Sequence, residues 1–485
     1  MTQPDETRNL FENAGPKETA SDFTPAAGEM HASIGTLHFF GGAAPTKESA
    51  HKIYDELDLQ RATQAYIDFY PALSLYAIAR SQIRDFGMTS SSDIVVMSTS
   101  LTPTENYLTG NNSTVYAVGS LDLKLDGPTV VEIPEGMMGN ANDAAFRYLT
   151  DFGPTGPDNG KGGRYLFVPP GYEADLPDGY FVVSSPSSRI WVMMRGFDVG
   201  TGDAAVHWFR DRLEIYALES GPRDHQAIDG TGAGANTLAP EDGRAYDMLN
   251  EIIQYEPTAL FDSELLGRIA TLGIQKGKAF APDERMTSIF DEAAKLGVAM
   301  CRAILYANRD PEILYWPNRH WEKMFIRNTE FVVDDIADTD AQTLWLYQAI
   351  CVSPSLLSTT PGVGTAYLTG IRDKDGSYLD GGKDYRLRVP ANPPAQRFWA
   401  VTAYDPTSRS LLGSGGPITV SSLGAPDVND DGTVDVYFGS TAPAAKEKNW
   451  IRTDPSKGFF VVFRFYGPLQ GYIDKTWVLN DIEPE

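Results

Sequence analysis

The chain has 485 residues, of which 42% are hydrophobic, so it is long enough for two or three domains with buried cores, and global disorder is excluded. Its 40 basic and 65 acidic residues give a formal net charge of −25, which excludes the Lys/Arg-rich surface that nucleic-acid binding requires and suits a monomer or small homo-oligomer. No apolar run of about 18 residues occurs, which excludes a membrane-spanning helix, and two cysteines are too few for a disulfide scaffold.

The N-terminal part is predicted to be an unpatterned arm followed by helix. Residues 1–30 are polar and contain several Gly and Pro, which is typical of a flexible arm. Helical periodicity begins near Thr46, whose hydroxyl suits an N-cap, within a helical region that we assign to 31–92. Pro71 interrupts the apolar stripe, so we expect a kink or two helices there.

Two β-rich regions are predicted on either side of a helical insert. From Asp93 the hydrophobic period changes to two, and short β-prone runs between Gly, Pro and Asp turns predict a sandwich or barrel over 93–222. Residues 223–325 combine a Gly/Asp-rich linker with a helix that begins around Pro282-Asp283-Glu284. A second β unit is predicted over 326–485. The fold class is therefore mainly β with helical segments (α+β), built on two β-sandwich domains.

The last predicted strand, Phe459–Tyr466, places an arginine among apolar residues. Phe463 and Phe465 share one face of this strand, while Arg464 and Tyr466 share the other. A buried arginine needs an acidic or carbonyl partner. Arg464 is thus interpreted either as part of a structural ion pair or as a ligand contact.

Familiar ion-binding and catalytic motifs are incomplete or missing. The segment Asp427–Asp435 matches the first nine positions of an EF-hand loop, but Phe438 stands where a bidentate Glu is needed, so a hairpin turn is favoured. The Gly-rich stretch 230–235 has no β-rich strand before it and is interpreted as a flexible loop. No Gly-x-Ser-x-Gly, His-Glu-x-x-His or Cys-x-x-Cys motif occurs. The sequence therefore assigns no metal ligand and no cofactor.

Polar and aromatic residues concentrate in two stretches, 109–116 and 398–405. The residues that we predict to contact a small ligand are Asn111, Asn112, Thr114, Tyr116, Arg195, Trp399 and Tyr404. The alternative for the first stretch is that its Asn residues only form the turn into a strand.

Three residues are candidates for catalysis: Asp405, His320 and Arg464. A positive residue near a carboxylate can stabilise a developing oxyanion and help to activate water. His320 lies between Arg319 and Trp321, which is compatible with a polar cleft, but a histidine at an interface with its hydrogen bonds satisfied is the structural alternative.

Several segments resemble bacterial proteins that pair domain of unknown function 1254 with domain of unknown function 1214. The matching segments are Ile34–Phe40, Gln64–Pro71, Gly127–Pro134, Gly160–Tyr165, Lys276–Asp283, Phe398–Pro406, Asn449-Trp450 and Phe463–Pro468. The resemblance extends over 31–485 and implies two β-rich domains, the C-terminal one jelly-roll-like, with a helical segment between them. It lends no catalytic residues, because the family has no settled reaction.

The sequence also departs from that family in two ways. Relatives often have Asp where Ser113 stands, so a carboxylate is missing from the first polar stretch. Many relatives carry a secretion signal, whereas the polar start of this chain predicts a cytoplasmic protein.

Two functions fit these observations. One is a hydrolase-like enzyme acting on a small organic ester or anion in an interdomain cleft. The other is a non-enzymatic module that binds carbohydrate or another small molecule, or that serves assembly. Of the partner classes, a small molecule and a second copy of the chain remain, and nucleic acid and membrane are excluded.

Overall fold

A computed structural model of the chain describes residues 28–41, 43–196, 198–357 and 359–485. The arm predicted for 1–30 lies outside the described residues except at its C-terminal end. The chain divides into two compact units, residues 1–60 and 61–485. The first unit contains a small antiparallel sheet of β1 (Glu29–Ala32), β2 (Gly35–Phe40) and β3 (Ala44–Pro45), in that order. β2 and β3 fall inside the region assigned to helix, and β1 begins at the end of the predicted arm.

Helix α1 spans Lys47–Arg84, in agreement with the periodicity that begins near Thr46. It continues through Pro71 as one helix. The other helices are α2 (Leu123–Asp126), α3 (Asp203–Arg210), α4 (Arg244–Tyr255), α5 (Ser263–Ala270), α6 (Glu284–Tyr306), α7 (Thr339–Gln348) and α8 (Gln470–Ile473). No helix in the described ranges combines the length and apolarity needed to cross a bilayer.

The first β region of the second unit consists of two sheets that share one core. Its strands are β4 (Ile94–Met97), β5 (Val115–Asp122), β6 (Thr129–Ile133), β7 (Met138–Asp143), β8 (Tyr148–Phe152), β9 (Gly163–Val168), β10 (Phe181–Ser184), β11 (Arg189–Gly196), β12 (Glu214–Ala217) and β13 (Ala227–Asp229). One sheet has the order β13-β4-β5-β11-β7-β8 and the other β10-β9-β6-β12. Val96 and Val192 from the first sheet pack in the same apolar cluster as Ile133 and Phe167 from the second. This is the face-to-face arrangement of a sandwich.

The helical insert packs through the buried face of α6, which includes Ile289, Phe290 and Val298. Helix α6 begins after Asp283, whose carboxylate accepts a hydrogen bond from the Met286 amide at 2.8 Å and so caps the first turn. The ring of Tyr246 in α4 stacks on Phe290 in α6, with the centroids 4.3 Å apart. Cys301 in α6 is a buried free thiol.

The second β region also consists of two main sheets. Its strands are β14 (Trp321–Lys323), β15 (Val332–Val333), β16 (Ile336–Ala337), β17 (Thr365–Gly370), β18 (Tyr385–Val389), β19 (Ala395–Tyr404), β20 (Thr419–Ser421), β21 (Val434–Gly439), β22 (Trp450–Arg452), β23 (Phe460–Pro468) and β24 (Glu483–Pro484). One sheet has the order β14-β17-β23-β19-β20 and the other β22-β21-β18-β24, while β15 and β16 form a separate pair. The mainly β fold with helical segments is confirmed; the domain boundaries and the jelly-roll character stay predictions.

The segment that resembles an EF-hand loop is a turn, but it does not close a hairpin. The Asn429 amide donates to the Thr433 carbonyl at 2.9 Å, and Gly432 has a φ of +80°. The strand after the turn, β21, pairs with β18 and β22, whereas the strand before it, β20, lies in the other sheet. The turn therefore carries the chain from one sheet to the other.

Candidate functional site

A cavity lies where the first β region meets the second. Its apolar wall comes from Met97, Leu101, Leu108, Val118, Met324 and Phe325, and its polar wall comes from Asn111, Tyr116, Arg195, Tyr367 and Arg464. The space between these walls is about 700 Å³ and includes space open to solvent. Its mostly apolar lining with a few polar groups is typical of sites that bind a small organic molecule.

Arg464 reaches this cavity from the centre of the C-terminal sheet. It lies on β23, which is hydrogen-bonded to β17 on one side and β19 on the other, and only 3% of the residue is exposed. Its Nη1 donates to the Tyr404 hydroxyl at 2.6 Å, and its Nη2 donates to the Thr109 carbonyl at 2.8 Å. Within the described chain these partners are neutral, so the structural ion pair considered for Arg464 is not formed.

The Arg464 guanidinium is charged although it is buried. Burial disfavours the charged form, but the neighbouring phenols of Tyr404, Tyr466 and Tyr367 hold its pKa above the usual value. The side chain lies 5.5 Å from the Tyr404 ring centroid and 5.7 Å from that of Tyr367, distances at which a ring face attracts a cation. A positive charge is therefore present beside the cavity.

Arg195 brings a second guanidinium to the same place from the first β region. It lies on β11, paired with Tyr116 on β5, and its carbon Cζ is 5.0 Å from the Tyr116 ring centroid and 6.0 Å from that of Tyr466. Its Nη1 donates to the Thr365 hydroxyl at 3.3 Å. Burial lowers its pKa, but Tyr116, Tyr367 and Tyr466 outweigh that effect, so the pKa lies above the usual value. Both arginines thus share tyrosines that join the two β regions.

Asn111 donates to two phenols, and one of them, Tyr116, lines the cavity. Its Oδ1 accepts a hydrogen bond from the Ser113 amide at 2.7 Å, so its Nδ2 faces the opposite way. Nδ2 donates to the Tyr466 hydroxyl at 2.7 Å and to the Tyr116 hydroxyl at 3.0 Å. Because both phenol oxygens accept from Asn111, their own protons remain for donation. The polar wall therefore presents hydrogen-bond donors.

Tyr404 holds the loop that closes the cavity, and its contact with a ligand stays a prediction. Its hydroxyl donates to the Gly110 carbonyl at 2.8 Å while it accepts from Arg464. The Thr109 hydroxyl donates to the Gln348 carbonyl at 2.7 Å. A Cβ at position 110 would lie 2.6 Å from Leu101 Cδ1, so glycine permits this close approach. Tyr404 is a positioning residue for the loop and for Arg464.

The structure places three other predicted ligand contacts outside the cavity wall. Trp399 is buried against Phe463, with ring centroids 5.4 Å apart. The side-chain Oδ1 of Asn112 accepts from the Thr419 hydroxyl at 3.0 Å, and the Thr114 hydroxyl accepts from Asn111 Nδ2 at 3.3 Å. These side chains support the walls, and their ligand-binding role stays a prediction.

Asp405 and His320 also lie away from the residues that line the cavity. The Asp405 Oδ2 accepts a hydrogen bond from Lys457 Nζ at 2.6 Å. Burial raises the pKa of this carboxyl, but Lys457 and the Thr407 amide hold it below its ordinary value. The His320 amide donates to Asp481 Oδ1 at 2.7 Å. Arg464 is thus the one catalytic candidate of the three that reaches the cavity.

Tyr367 and Tyr466 were not predicted from the sequence to belong to the site. Tyr466 shares a strand face with Arg464, so the period-two pattern contained the signal that could have found it. Tyr367 faces Arg464 through the pairing of β17 with β23, two strands that are far apart in the chain. Nothing local in the sequence indicates that register.

Two family models match the chain, one in each β region. Residues 92–217 match the family described as Protein of unknown function (DUF1254), and residues 364–470 match Protein of unknown function (DUF1214). Asn111, Tyr116 and Arg195 lie in the first match, and Tyr367 and Arg464 lie in the second. No curated protein matches the chain.

Two solved structures are similar to this chain. The VPA0106 protein from Vibrio parahaemolyticus is 18% identical with a TM-score of 0.54, and the match covers 88% of this chain and 100% of that one. A putative uncharacterized protein from Burkholderia cenocepacia is 13% identical with a TM-score of 0.40, over 90% of this chain and 96% of that one. The first likeness shows the fold alone. The two family matches, in that order, confirm the predicted pairing of domain of unknown function 1254 with domain of unknown function 1214 in this chain.

Proposed function

We propose that the protein binds a small organic anion in the cavity between its two β regions. The anionic group would lie between Arg195 and Arg464, and an apolar body would lie against the side chains of Met97, Leu108 and Phe325. The observation that carries the proposal is the buried, charged guanidinium of Arg464, whose described partners are a phenol and a carbonyl. A buried charge without an opposite charge is costly, so an anion at this place would be bound strongly.

The composition of the wall narrows the ligand class. Asn111 leaves the hydroxyl proton of Tyr116 available, so the polar end of the cavity offers a phenol donor beside the two guanidinium groups to a carboxylate or a similar group. The opposite wall is apolar and favours an aliphatic or aromatic body over a carbohydrate.

The same donors suit an oxyanion, but hydrolysis needs a further group. Guanidinium and phenol donors would stabilise the negative charge that develops when an ester is attacked. Among the described residues that line the cavity there is no Asp, Glu or His to activate water. Binding of an anion is therefore the function that the geometry supports best, and ester hydrolysis belongs among the measurements that test it.

Isothermal titration calorimetry with hexanoate, and with hexanol as the neutral comparison, tests the proposal. We expect hexanoate to bind more tightly than hexanol, and Arg464→Met to weaken hexanoate binding by about 10- to 100-fold, because a charge-assisted hydrogen bond contributes about 1.5–3 kcal/mol. Arg195→Met provides the same test from the other β region. Arg244→Met is the control, because Arg244 is exposed and pairs with Asp242 at 2.6 Å.

Equal affinity for hexanoate and hexanol, or unchanged binding by Arg464→Met and Arg195→Met, would contradict an anion site. The same proteins are assayed for hydrolysis of p-nitrophenyl hexanoate. Turnover that depends on Arg464 but not on Arg244 would extend the function from binding to catalysis.

A further inference from the structure

A second, smaller cavity lies beside Arg195. It shares Met193, Arg195 and Leu356 with the main cavity and is otherwise lined by residues that include Asn140 and Ser355. About 30 Å³ of it can hold the centres of water molecules, which is room for a hydroxyl group or for one or two waters. Arg195 thus borders both a large chamber and a small one.

Asn140, which lines the small chamber, has a buried amide oxygen that has no partner in the described chain. Asn140 lies on β7, paired with Met193 on β11, and is 3% exposed. Its Oδ1 makes no hydrogen bond with the described residues. A buried acceptor without a donor costs about 1–3 kcal/mol, so a ligand group that donates to Asn140 would be stabilised there.

Ser355 presents a second acceptor to the same chamber. The Ser353 hydroxyl donates to Asp151 Oδ1 at 2.7 Å and lies 2.6 Å from the Ser355 hydroxyl. Because the proton of Ser353 is used by Asp151, the Ser355 hydroxyl donates to Ser353. The lone pairs of Ser355 then remain for a donor in the chamber. The small chamber therefore has two acceptors in its wall beside the donors Arg195 and Thr365, whereas the polar wall of the main cavity consists mainly of donors.

We propose that the ligand is a hydroxycarboxylic acid whose hydroxyl group enters the small chamber and donates to Asn140. This inference rests on the proposed anion site, since the carboxylate is held by Arg195. An ammonium group would also donate, but its positive charge would be repelled by Arg195. Because one arginine borders both chambers, the hydroxyl belongs on the second or third carbon, a few bonds from the carboxylate.

Calorimetry with four related acids tests this inference: hexanoate, 2-hydroxyhexanoate, 3-hydroxyhexanoate and 6-hydroxyhexanoate. We expect the 2- or the 3-hydroxy acid to bind the native protein about 5- to 10-fold more tightly than hexanoate, as one added hydrogen bond would give. The 6-hydroxy acid, whose hydroxyl would meet the apolar wall, is expected to gain nothing. Asn140→Leu is expected to abolish the preference and to keep the affinity for hexanoate, which serves as its internal control.

Ser355→Ala is the second variant, and it carries the test if Asn140→Leu does not fold; we expect it to reduce the preference by about 3-fold. If the hydroxy acids bind the native protein no better than hexanoate, the hydroxyl subsite is disproved and the anion site stands. If the preference survives in the folded variants, the small chamber is not where the hydroxyl binds. If none of the four acids binds, the proposed function itself fails.

Discussion

Two buried arginines, Arg409 and Arg464, are stabilised in different ways. Arg409 has a carboxylate partner: its Nη1 donates to Glu241 Oε1 at 2.9 Å. It also donates to the Tyr70 hydroxyl and to the Tyr347 carbonyl, each at 3.1 Å. Arg464 has only neutral partners in the described chain. Arg409 therefore forms a structural ion pair with Glu241, whereas Arg464 has a charge that a ligand can neutralise.

Replacing Arg409 with methionine is expected to lower the free energy of unfolding by about 2–4 kcal/mol, because it breaks a buried ion pair and leaves several acceptors without donors. Arg302 provides a matched control. It pairs with the same Glu241, also at 2.9 Å, but 37% of its side chain is exposed. Arg302→Met is therefore expected to cost less than about 1 kcal/mol. Denaturant unfolding measures both, and equal losses would show that burial does not set the strength of the pair.

At the scale of elements, helix α6 is placed by one glycine. A Cβ on Gly297 would lie 2.6 Å from Cδ1 of Tyr66 on α1, so the two helices approach more closely than any other residue would allow. The Tyr66 ring in turn packs against Tyr70, with centroids 6.0 Å apart, and cannot withdraw without disturbing it. Packing and helix propensity therefore act in opposite directions at position 297.

Gly297→Ala is expected to destabilise the protein by about 1–3 kcal/mol, because overpacking against Tyr66 outweighs the gain of about 1 kcal/mol in helix propensity. Gly267 in α5 provides the opposite case, since nothing lies within 4 Å of a Cβ built there. Gly267→Ala is expected to stabilise by up to about 1 kcal/mol. Thermal unfolding of the two variants gives the sign directly. Stabilisation by both would mean that α6 shifts away from α1 at little cost.

Periodicity predicted the helices and strands that carry a clear hydrophobic pattern in their own residues. The acidic N-cap and apolar stripe of α6 and the alternating faces of β23 are present in the structure. The strands β1–β3 were not predicted, because they are short and mostly exposed, and so lack an apolar pattern.

The candidate site was predictable only in part, because some of its residues have local sequence signals and others depend on distant partners. Asn111, Tyr116 and Arg464 stand in polar or aromatic contexts that the sequence displays, and all three line the cavity. The environment of Asp405 was not predictable, because its cation, Lys457, comes from a distant segment. Pairing between remote segments decides which polar residue meets a ligand and which meets an ion-pair partner.

At the scale of the whole molecule, the residues that form the cavity also hold the two β regions together. Arg464 donates to the Thr109 carbonyl, Tyr404 to the Gly110 carbonyl, and Asn111 to the Tyr466 hydroxyl. Each of these hydrogen bonds joins a residue of the first region to one of the second. A ligand that binds both Arg195 and Arg464 would therefore stabilise the junction as well as fill the cavity.

The pH dependence of stability is a property of the whole molecule to which one buried carboxyl makes a definable contribution. Glu322 on β14 is 8% exposed, and burial raises its pKa to about 7 from an ordinary value of 4.5, although Arg372 acts in the opposite direction. Between these two values the folded protein binds a proton that the unfolded chain has lost. The contribution of Glu322 to stability is therefore fully present below about pH 4.5 and is lost as the pH rises to about 7.

Glu322→Gln keeps the shape of this side chain and removes the titration, so we expect the variant to lose less stability than the native protein between pH 4.5 and 7. The two proteins should be closest in melting temperature at the acid end, where Glu322 is protonated and resembles glutamine, and the variant should be the more stable at neutral pH. Glu219→Gln, at an exposed position, removes one negative charge without a buried carboxyl and corrects for the general effect of the net charge of −25. If the melting temperatures of Glu322→Gln and Glu219→Gln change with pH in parallel, the protonation of Glu322 is not what links stability to pH.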